Sequence, residues 1–226
     1  MLLQMMLSHK GIFYPKEVKE TSAIVRSLLS GRTWEKKIVD IFKDHVKPGD
    51  LCVDAGAFIG LHSLQLSKLV GHSGIVYAFE PIPFVCDCLR KTIEENQIYN
   101  IQAICKPLDS SIDKELSFVS DLCGTSAVDV HRRRSFKYNY KLKSTTLDYY
   151  FRDINLEKLK LIKIDVEGNE WAVLKGGEGI IEKHRPIIVL ETWPTKRNLN
   201  KLYVFAEKFK YDITTSTCDN YLLYPL

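Results

Sequence analysis

The stretch from Leu51 to Gly60, which reads Leu-Cys-Val-Asp-Ala-Gly-Ala-Phe-Ile-Gly, constrains the fold more than any other part of the chain. It begins with three apolar residues, as a buried strand does, and then turns through Gly56. Leucines recur at helical spacing after Gly60, so the turn leads into a helix. A strand, a glycine turn and a helix place a ligand at the N-terminus of that helix, where backbone N–H groups are free to donate.

The residues of this turn indicate which ligand it binds. Because position 54 is Asp, the stretch does not match the dinucleotide fingerprint Gly-x-Gly-x-x-Gly. A carboxylate repels a pyrophosphate but attracts a cation, such as the amino group in the methionine part of S-adenosylmethionine. We therefore predict S-adenosylmethionine as the cofactor, although an ordinary strand-to-helix turn also fits this stretch alone. The predicted contacts are Asp54, Gly56, Phe58, Ile59 and Gly60.

Length and composition predict one packed domain with an extension. The 226 residues are 45% hydrophobic and 11% aromatic, which is enough for a sizeable core rather than a disordered chain. Apolar residues at helical spacing in 17–29 and 34–46 predict an N-terminal helical extension over residues 1–47, and the main domain then spans residues 48–226. The net charge of +4 suits an anionic substrate and does not require a nucleic acid.

The cysteines and the hydropathy pattern bear on the compartment. Cys52 and Cys105 lie in apolar, strand-like runs, so we expect buried free thiols and hence a reducing compartment. The first seven residues are apolar, but no basic residues precede them and no small-residue cleavage site follows them. No apolar run is long enough to span a bilayer. These observations predict a cytoplasmic protein without a membrane span.

Apolar, strand-like runs alternate with helical patterns along the chain. The runs that follow the first strand are 75–79, 101–105, 116–119, 161–165, 186–190, 211–215 and 221–224. Alternating strands and helices build a parallel sheet that is covered by helices. We therefore predict an α/β fold with a mainly parallel sheet.

Four of the predicted strands end at an acidic residue, and these are Asp54, Glu80, Asp165 and Glu191. In an open parallel sheet such ends share one edge, and ligands bind beyond that edge. Glu80, which precedes Pro81, lies 26 residues after Asp54, where the ribose of the cofactor is expected, because a carboxylate accepts two hydroxyl hydrogen bonds. Leu108 and Asp109, beyond the third strand, are expected beside the adenine.

Several blocks of the sequence, taken in order, resemble the FkbM family of S-adenosylmethionine-dependent methyltransferases. The blocks are Val53–Gly60, Tyr77–Pro81, Ser144–Asp148, Ile162–Glu170, Leu174–Gly177 and Pro186–Glu191. The resemblance covers residues 48–192 and implies a class I, Rossmann-like methyltransferase fold with a seven-stranded sheet. It also implies O-methylation of a sugar, a glycan or a glycosylated natural product. The segment Lys106–Ser110 departs from the small-residue turn of many relatives, which bears on the adenine contacts.

Methylation of a neutral hydroxyl is helped by a base within hydrogen-bond reach. Asp165 at the end of its strand is the first candidate, Glu191 is the second, and Glu167 in the turn after Asp165 is a further one. Glu170 stands at the start of a helix and is expected to cap it. Carboxylates also bind divalent ions, but no His stands beside these acids, and we expect no required metal.

The acceptor is expected to be a small molecule or a glycan. Arg132, Arg133 and Arg134 lie where an insertion over the substrate would fall, and guanidinium groups bind phosphate or carboxylate groups. A solvated loop is the simpler alternative for this run. Trp193 offers a flat face on which a sugar ring can stack. Together these residues predict an acceptor that carries an anionic group.

Other functions fit the sequence less well. RNA ribose 2′-O-methylation uses Lys, Asp, Lys and Glu around the hydroxyl, and Asp165 and Glu191 supply two of these. However, no clear second Lys follows Asp165, and the chain has no continuous basic, aromatic-rich stretch, so a nucleic acid is not expected as a partner. The intact Asp54, Gly56 and Glu80 argue against an inactive binding module. The sequence leaves the oligomeric state open.

Overall fold

The computed structural model describes residues 6–16, 23–120, 126–128, 138–217 and 219–226, and a seven-stranded sheet lies at its centre. From edge to edge the strands are β11 (Tyr211–Thr215), β12 (Asn220–Pro225), β10 (Ile187–Glu191), β9 (Leu159–Ile164), β3 (Leu51–Ala55), β4 (Ile75–Phe79) and β5 (Ile101–Ile104). Neighbouring strands are parallel, except that β12 runs antiparallel to β10 and to β11. The predicted α/β fold with a mainly parallel, seven-stranded sheet is confirmed.

The order of the strands places a switch point in the middle of the sheet. The chain first adds β4 and β5 on one side of β3, and it later adds β9 and β10 on the other side. The connections that leave the carboxyl ends of β3 and β9 therefore diverge. In open α/β sheets, a crevice for ligands forms at such a point.

Helices cover both faces of this sheet. They are α1 (Ala23–Ser30), α2 (Lys36–His45), α3 (Leu61–Val70), α4 (Pro83–Glu95), α5 (Leu147–Tyr150), α6 (Glu170–Lys175), α7 (Glu178–His184) and α8 (Lys196–Phe209). Among the described residues, no helix combines the length and the apolar character needed to cross a membrane.

Alternate residues of the central strands fill two cores. Val53 on β3 packs in the core shared with α6, α7 and α8, whereas the adjacent Cys52 packs in the core shared with α2, α3 and α4. Successive strand residues face opposite sides, so a strand covered on both faces is apolar throughout. Lys163 on β9 departs from this rule, because it is a charged residue and yet is only 2% exposed.

A second, three-stranded antiparallel sheet lies between β5 and α5 in the chain. It consists of β6 (Glu115–Ser120), β7 (Ser126–Val128) and β8 (Tyr138–Lys143), with β6 in the middle. β6 confirms the strand predicted at 116–119. The basic run Arg132–Arg134, which was predicted to bind the acceptor, lies outside the described residues.

The N-terminal extension is not wholly helical, so that part of the prediction is wrong. The two predicted helices are present as α1 and α2, but β1 (Met6–His9) and β2 (Ile12–Pro15) form a hairpin before them. Lys10 and Gly11 connect these strands with positive φ angles, as a two-residue type I′ turn requires. The hairpin docks on α4, where Phe13 N donates to Thr92 Oγ1 and Asn96 Nδ2 donates to Gly11 O. The domain boundary at residue 47 stays a prediction.

The prediction of a free thiol at Cys105 is also wrong. Cys105 forms a disulfide with Cys86, and their Cα atoms are 5.7 Å apart. β5 ends at Ile104, so Cys105 follows the strand, and the packing of α4 against β5 brings Cys86 close to it. Cys52 is a buried free thiol, as predicted. The disulfide weakens the argument for a reducing compartment.

Removal of the disulfide is expected to destabilise the fold. The two cysteines are 19 residues apart, and the loop-closure entropy of such a crosslink corresponds to about 3 kcal/mol. We expect the double variant Cys86→Ser/Cys105→Ser to unfold at a lower urea concentration than the oxidised wild type. Dithiothreitol should shift the wild-type midpoint to that of the variant and leave the variant unchanged. Equal midpoints for the oxidised wild type and the variant would contradict a stabilising crosslink.

Candidate active site

A cleft opens at the carboxyl ends of β3, β4, β9 and β10, at the switch point of the sheet. It encloses about 1090 Å³ of space between protein atoms, its open mouth included. The predicted site residues that line this cleft are Gly56, Phe58, Ile59, Glu80, Pro81, Leu108, Asp165, Glu167 and Glu191. The sheet therefore brings together residues from the ends of five strands, because Leu108 follows β5.

Four other predicted site residues do not line the cleft. Asp54 is fully buried on β3, and Gly60 caps the N-terminus of α3. Asp109 is also buried, with Lys114 Nζ 3.1 Å from each of its carboxylate oxygens. Trp193 lies beyond β10 and is 58% exposed. Trp193 thus stands apart from the cleft, whereas Asp109 lies behind its wall and accepts a hydrogen bond at 3.3 Å from Asn169 Nδ2, which lines it.

Left-handed backbone shapes the turn after β3. Gly56 and Gly60 both have a φ of +85°. A Cβ on Gly56 would lie 1.7 Å from the carbonyl oxygen of Asp165, and a Cβ on Gly60 would lie 2.4 Å from Leu89 Cδ1. Gly60 therefore allows close packing against α4. At Gly56 the group that excludes a side chain is the backbone carbonyl of Asp165, so a glycine is needed there to bring the two turns together.

Glu80 is held at the end of β4 by two backbone donors. Its Oε2 accepts a hydrogen bond from Phe58 N at 3.0 Å, and its Oε1 accepts one from Ile82 N at 2.8 Å. Burial raises the pKa of Glu80 to about 7, although the two backbone hydrogen bonds oppose this shift. Each carboxylate oxygen retains a second lone pair, so Glu80 can also accept hydrogen bonds from the two hydroxyls of a diol in the cleft.

A buried ion cluster joins β3 to β9. Lys163 Nζ lies 3.1 Å from Asp165 Oδ2 and 3.9 Å from Asp54 Oδ1. Asp54 Oδ2 accepts a hydrogen bond from Ser63 Oγ at 2.6 Å. Burial acts to lower the pKa of Lys163, but the charges of Asp165 and Asp54 outweigh it and raise the pKa. Lys163 therefore remains a cation beside the cleft.

Lys163 was not among the predicted site residues, although the sequence around it indicates a buried, paired lysine. The lysine stands inside the apolar strand Leu159–Ile164, and a lysine is almost never buried unless it is paired. Its position two residues before Asp165 puts both side chains on the same face of the strand. These two facts together predict the ion pair that the structure contains.

Glu191 ends β10 and lines the cleft with Lys163 and Asp165. Burial, followed by the charges of Asp165 and Glu35, raises the pKa of Glu191 to about 8 against the opposing charge of Lys163. A carboxyl group whose pKa lies near neutral pH is well matched to proton transfer there.

Two further polar residues of the cleft, Glu35 and His62, belong to no sequence motif and were not predicted. Glu35 precedes α2, His62 lies on α3, and His62 Nε2 is 2.7 Å from Glu35 Oε2. Burial acts to raise the pKa of Glu35, but the hydrogen bond with His62 and the charge of Lys163 outweigh it and lower the pKa. Their contact spans 27 residues, so no local pattern could reveal it.

The turn after β9 is tied to the segment expected beside the adenine. Glu167 and Gly168 both have positive φ angles there. Glu170 Oε1 accepts a hydrogen bond from Gly168 N at 2.6 Å, which closes the turn before α6, and the predicted role of Glu170 as a helix cap stays a prediction. Asn169 Nδ2 donates to Leu108 O at 2.9 Å. Asn169 therefore joins the turn after β9 to the segment after β5.

The groups around the cleft fit S-adenosylmethionine. Glu80 presents acceptors for a ribose diol, and Leu108 lines the same cleft. Asp54 Oδ1 is buried and has no hydrogen-bond partner, so a donor beside the turn would satisfy it. The cluster around Lys163 also carries more carboxylates than cations, which favours a sulfonium and an ammonium group nearby.

Comparison with known proteins agrees with this assignment. The family model of the methyltransferase FkbM domain matches residues 54–213. Methyltransferase sdnD from Sordaria araneosa is 30% identical over 213 residues, and the match covers 77% of this chain and 81% of that protein.

Solved structures show the same fold at low sequence identity. The methyltransferase FkbM from Methylobacillus flagellatus KT has a TM-score of 0.54 and 17% identity, and the match covers 99% of this chain but only 56% of that one. A methyltransferase from Streptococcus mutans in complex with S-adenosylhomocysteine has a TM-score of 0.50 and 11% identity, with 83% and 94% of the chains covered. The predicted cofactor, S-adenosylmethionine, is confirmed by these matches together with the family model.

Removal of the buried cation is expected to destabilise the protein. Lys163→Met keeps most of the volume but leaves the carboxylates of Asp54 and Asp165 without their partner, so we expect a loss of about 3–5 kcal/mol near neutral pH. The loss should shrink as the pH falls, because protonation removes the unpaired charges. Urea titrations at several pH values measure both effects, with the exposed Lys158→Met as the control. Unchanged stability at every pH would show that the cluster is not needed.

Glu80 is expected to govern cofactor affinity in a pH-dependent way. Glu80→Ala removes both ribose hydrogen bonds and should weaken the binding of S-adenosylhomocysteine by about 2–3 kcal/mol at alkaline pH. Because the pKa of Glu80 is raised to about 7, the wild-type affinity should fall as the pH drops through that value, and the variant should lack this dependence. Calorimetric titration measures both, with Glu94→Ala, 74% exposed on α4, as the control. Equal affinity in wild type and variant would exclude Glu80 as the ribose ligand.

Proposed function

Since the chain belongs to the FkbM methyltransferase family, we propose that it transfers a methyl group from S-adenosylmethionine to a hydroxyl of a sugar, a glycan or a glycosylated natural product. The observation that carries this proposal is the position of Glu191, a carboxyl group with a raised pKa that shares the cleft with Asp165 and Glu80. A hydroxyl acceptor needs such a group, because a neutral hydroxyl is a poor nucleophile until its proton leaves.

Within this proposal, Glu191 is the stronger candidate for the base. Asp165 was the first candidate from the sequence, but its Oδ2 already accepts a hydrogen bond from Lys163 Nζ, which fixes the carboxylate in place and suits it to orient the acceptor hydroxyl. The pKa of Glu191 is raised to about 8, so its carboxylate has a high affinity for a proton. Asp165 then orients the acceptor hydroxyl, and Glu167 in the adjoining turn remains a further candidate contact.

The other residues of the cleft bind and orient the reactants. Bound S-adenosylmethionine supplies an electrophilic methyl group. Glu80 holds the ribose, and Lys163 keeps Asp165 in one position beside the acceptor. Much of the rate then comes from positioning, since a fixed approach of the two reactants removes an entropy cost that a reaction in solution would carry.

RNA ribose 2′-O-methylation is the second candidate. Lys163 adds a lysine beside Asp165 and Glu191, which the sequence analysis had not identified, and this favours the Lys-Asp-Lys-Glu chemistry more than the motifs alone did. That chemistry uses two lysines, however. The other lysine of the described cleft, Lys106, is on the segment next to Leu108, on the adenine side. A sugar hydroxyl outside RNA therefore remains the first candidate, and a cytoplasmic location remains a prediction.

Methyl transfer to a glycoside tests the proposal and the choice of base together. With tritium-labelled S-adenosylmethionine and 4-nitrophenyl β-D-glucopyranoside as the acceptor, the label should enter the glycoside, and kcat should rise with pH through the titration of Glu191. Glu191→Gln should lower kcat roughly 10²–10⁴-fold and abolish this acidic limb. A limb that persists in Glu191→Gln and disappears in Asp165→Asn would make Asp165 the base. Label entering a ribose-containing oligonucleotide but no glycoside would favour the RNA alternative.

A further inference from the structure

The cleft has a second side, and half of the residues that form it lie outside the family match. Ile24, Trp34 and Glu35 line the cleft together with His62, Asp165 and Glu191. The first three residues belong to the N-terminal segment, whereas the matched family domain begins at residue 54. We call these six residues the acceptor side. The expected cofactor contacts Gly56, Glu80 and Leu108 are not among them.

Glu35 is held in place in an unusual way. Its backbone is left-handed, with φ 42° and ψ 58°, and its side chain makes no capping hydrogen bond to α2, although it occupies the N-cap position. Such backbone costs free energy in a residue other than glycine, and it persists where the surroundings require it. Here the contact that holds Glu35 is with His62, whose Nε2 lies 2.7 Å from Glu35 Oε2. The side chain of Glu35 is 26% exposed, so it can still contact a ligand.

His62 independently indicates a ligand. The ring is buried, with 7% of the residue exposed, and its Nδ1 has no hydrogen-bond partner. Because Glu35 is an acceptor, Nε2 of His62 carries the hydrogen of their bond, and in the neutral ring Nδ1 is then an acceptor. A buried acceptor without a partner costs free energy that a donor from a ligand or a water would recover. His62 lines the cleft, so the acceptor side is where such a donor would arrive.

The polar groups of the acceptor side are mostly hydrogen-bond acceptors. Glu35 and Asp165 contribute carboxyl groups, and His62 Nδ1 is a further acceptor, whereas Glu191, whose pKa is raised to about 8, can also donate at neutral pH. The nearby cation, Lys163, is almost fully buried and donates to Asp165. A ligand that satisfies these groups must therefore supply several donors. The pKa of Glu35 is lowered, so its side chain carries a negative charge. This charge would repel an anionic ligand. Trp34 adds a flat apolar surface of the kind on which a sugar ring stacks.

We propose that the acceptor side binds an uncharged, polyhydroxylated ring, with Glu35 accepting hydrogen bonds from its hydroxyls and Trp34 contacting its apolar face. This inference rests on the proposed function and narrows it, because it assigns acceptor selection to the N-terminal segment. It differs from the anionic acceptor predicted from Arg132–Arg134, residues that lie outside the described ones. His62 acts as a positioning residue that holds Glu35.

Binding of three matched glycosides to the full chain saturated with S-adenosylhomocysteine tests the inference. The probes are 4-nitrophenyl β-D-glucopyranoside, its glucuronide and its 2-amino-2-deoxy analogue, which differ mainly in the charge of the ring. Affinities are measured by saturation-transfer NMR. We expect the glucoside to bind roughly tenfold or more tightly than the glucuronide, since the glucuronide places its carboxylate near Glu35.

Substitutions then test how much Glu35 and Trp34 each contribute to binding. Glu35→Gln should weaken glucoside binding roughly tenfold and reduce the preference over the glucuronide, because the charge is lost but the shape is kept. Trp34→Ala should weaken all three probes alike, which separates stacking from charge selection. Glu95→Gln, at an exposed position on α4, is the matched control. Retained binding of S-adenosylhomocysteine shows that each variant is folded.

Four outcomes would overturn the inference: no binding by any probe, equal or tighter binding of the glucuronide, clearly tighter binding of the amino analogue, or an unchanged preference in Glu35→Gln. Methyl transfer is scored separately from binding. If the glucoside binds as expected but receives no methyl group, the inference stands and the proposed hydroxyl methylation fails. Binding and transfer therefore distinguish the two proposals.

Discussion

The contact between Lys163 and Asp165, with Asp54 close by, joins the two halves of the sheet where the cleft opens. Burying a lysine is costly, and the cost is offset only where carboxylates surround the cation closely. These three residues lie on β3, on β9 and at the carboxyl end of β9, on either side of the switch point. The backbone ladder of β3 and β9, with Asp165 N donating to Ala55 O, brings the glycine turn against the acid-bearing turn, and the ion cluster joins their side chains there. A looser pair of strands would separate the cofactor contacts from the acceptor contacts.

The parts of the structure that depend on local pattern could be predicted from the sequence. The strand, turn and helix around Gly56 follow from apolar spacing and from glycine at the bend, and the alternation along the chain determines the parallel sheet. Asp165, Glu80 and Glu191 were predicted to share one edge because parallel strands place their carboxyl ends together. All three line the cleft. Their chemical roles remain predictions, since a shared position does not show what each carboxylate does.

The parts that depend on contacts between distant residues could not be predicted in this way. Glu35 and His62 belong to unrelated segments, and nothing near either residue indicates the other. Cys105 was expected to be free because it follows an apolar run, whereas its partner on α4 is determined by how that helix packs on β5. The hairpin before α1 was missed because each of its strands has four residues, too few for a reliable period. In each case the contact or the element formed because of tertiary packing, which a local sequence pattern does not reveal.

The crosslink between Cys86 and Cys105 also affects the border of the sheet. β5 is the last strand on its side, with only β4 as a neighbour, and it has four residues. Terminal strands of this kind expose unpaired backbone groups that can join to another chain, and proteins limit this by keeping them short or covered. The covalent link anchors the residue after β5 to α4, so the strand cannot detach while the bond is intact. The same bond that stabilises the domain thus helps to keep β5 paired with β4, and loss of β5 after reduction would turn β4 into the terminal strand.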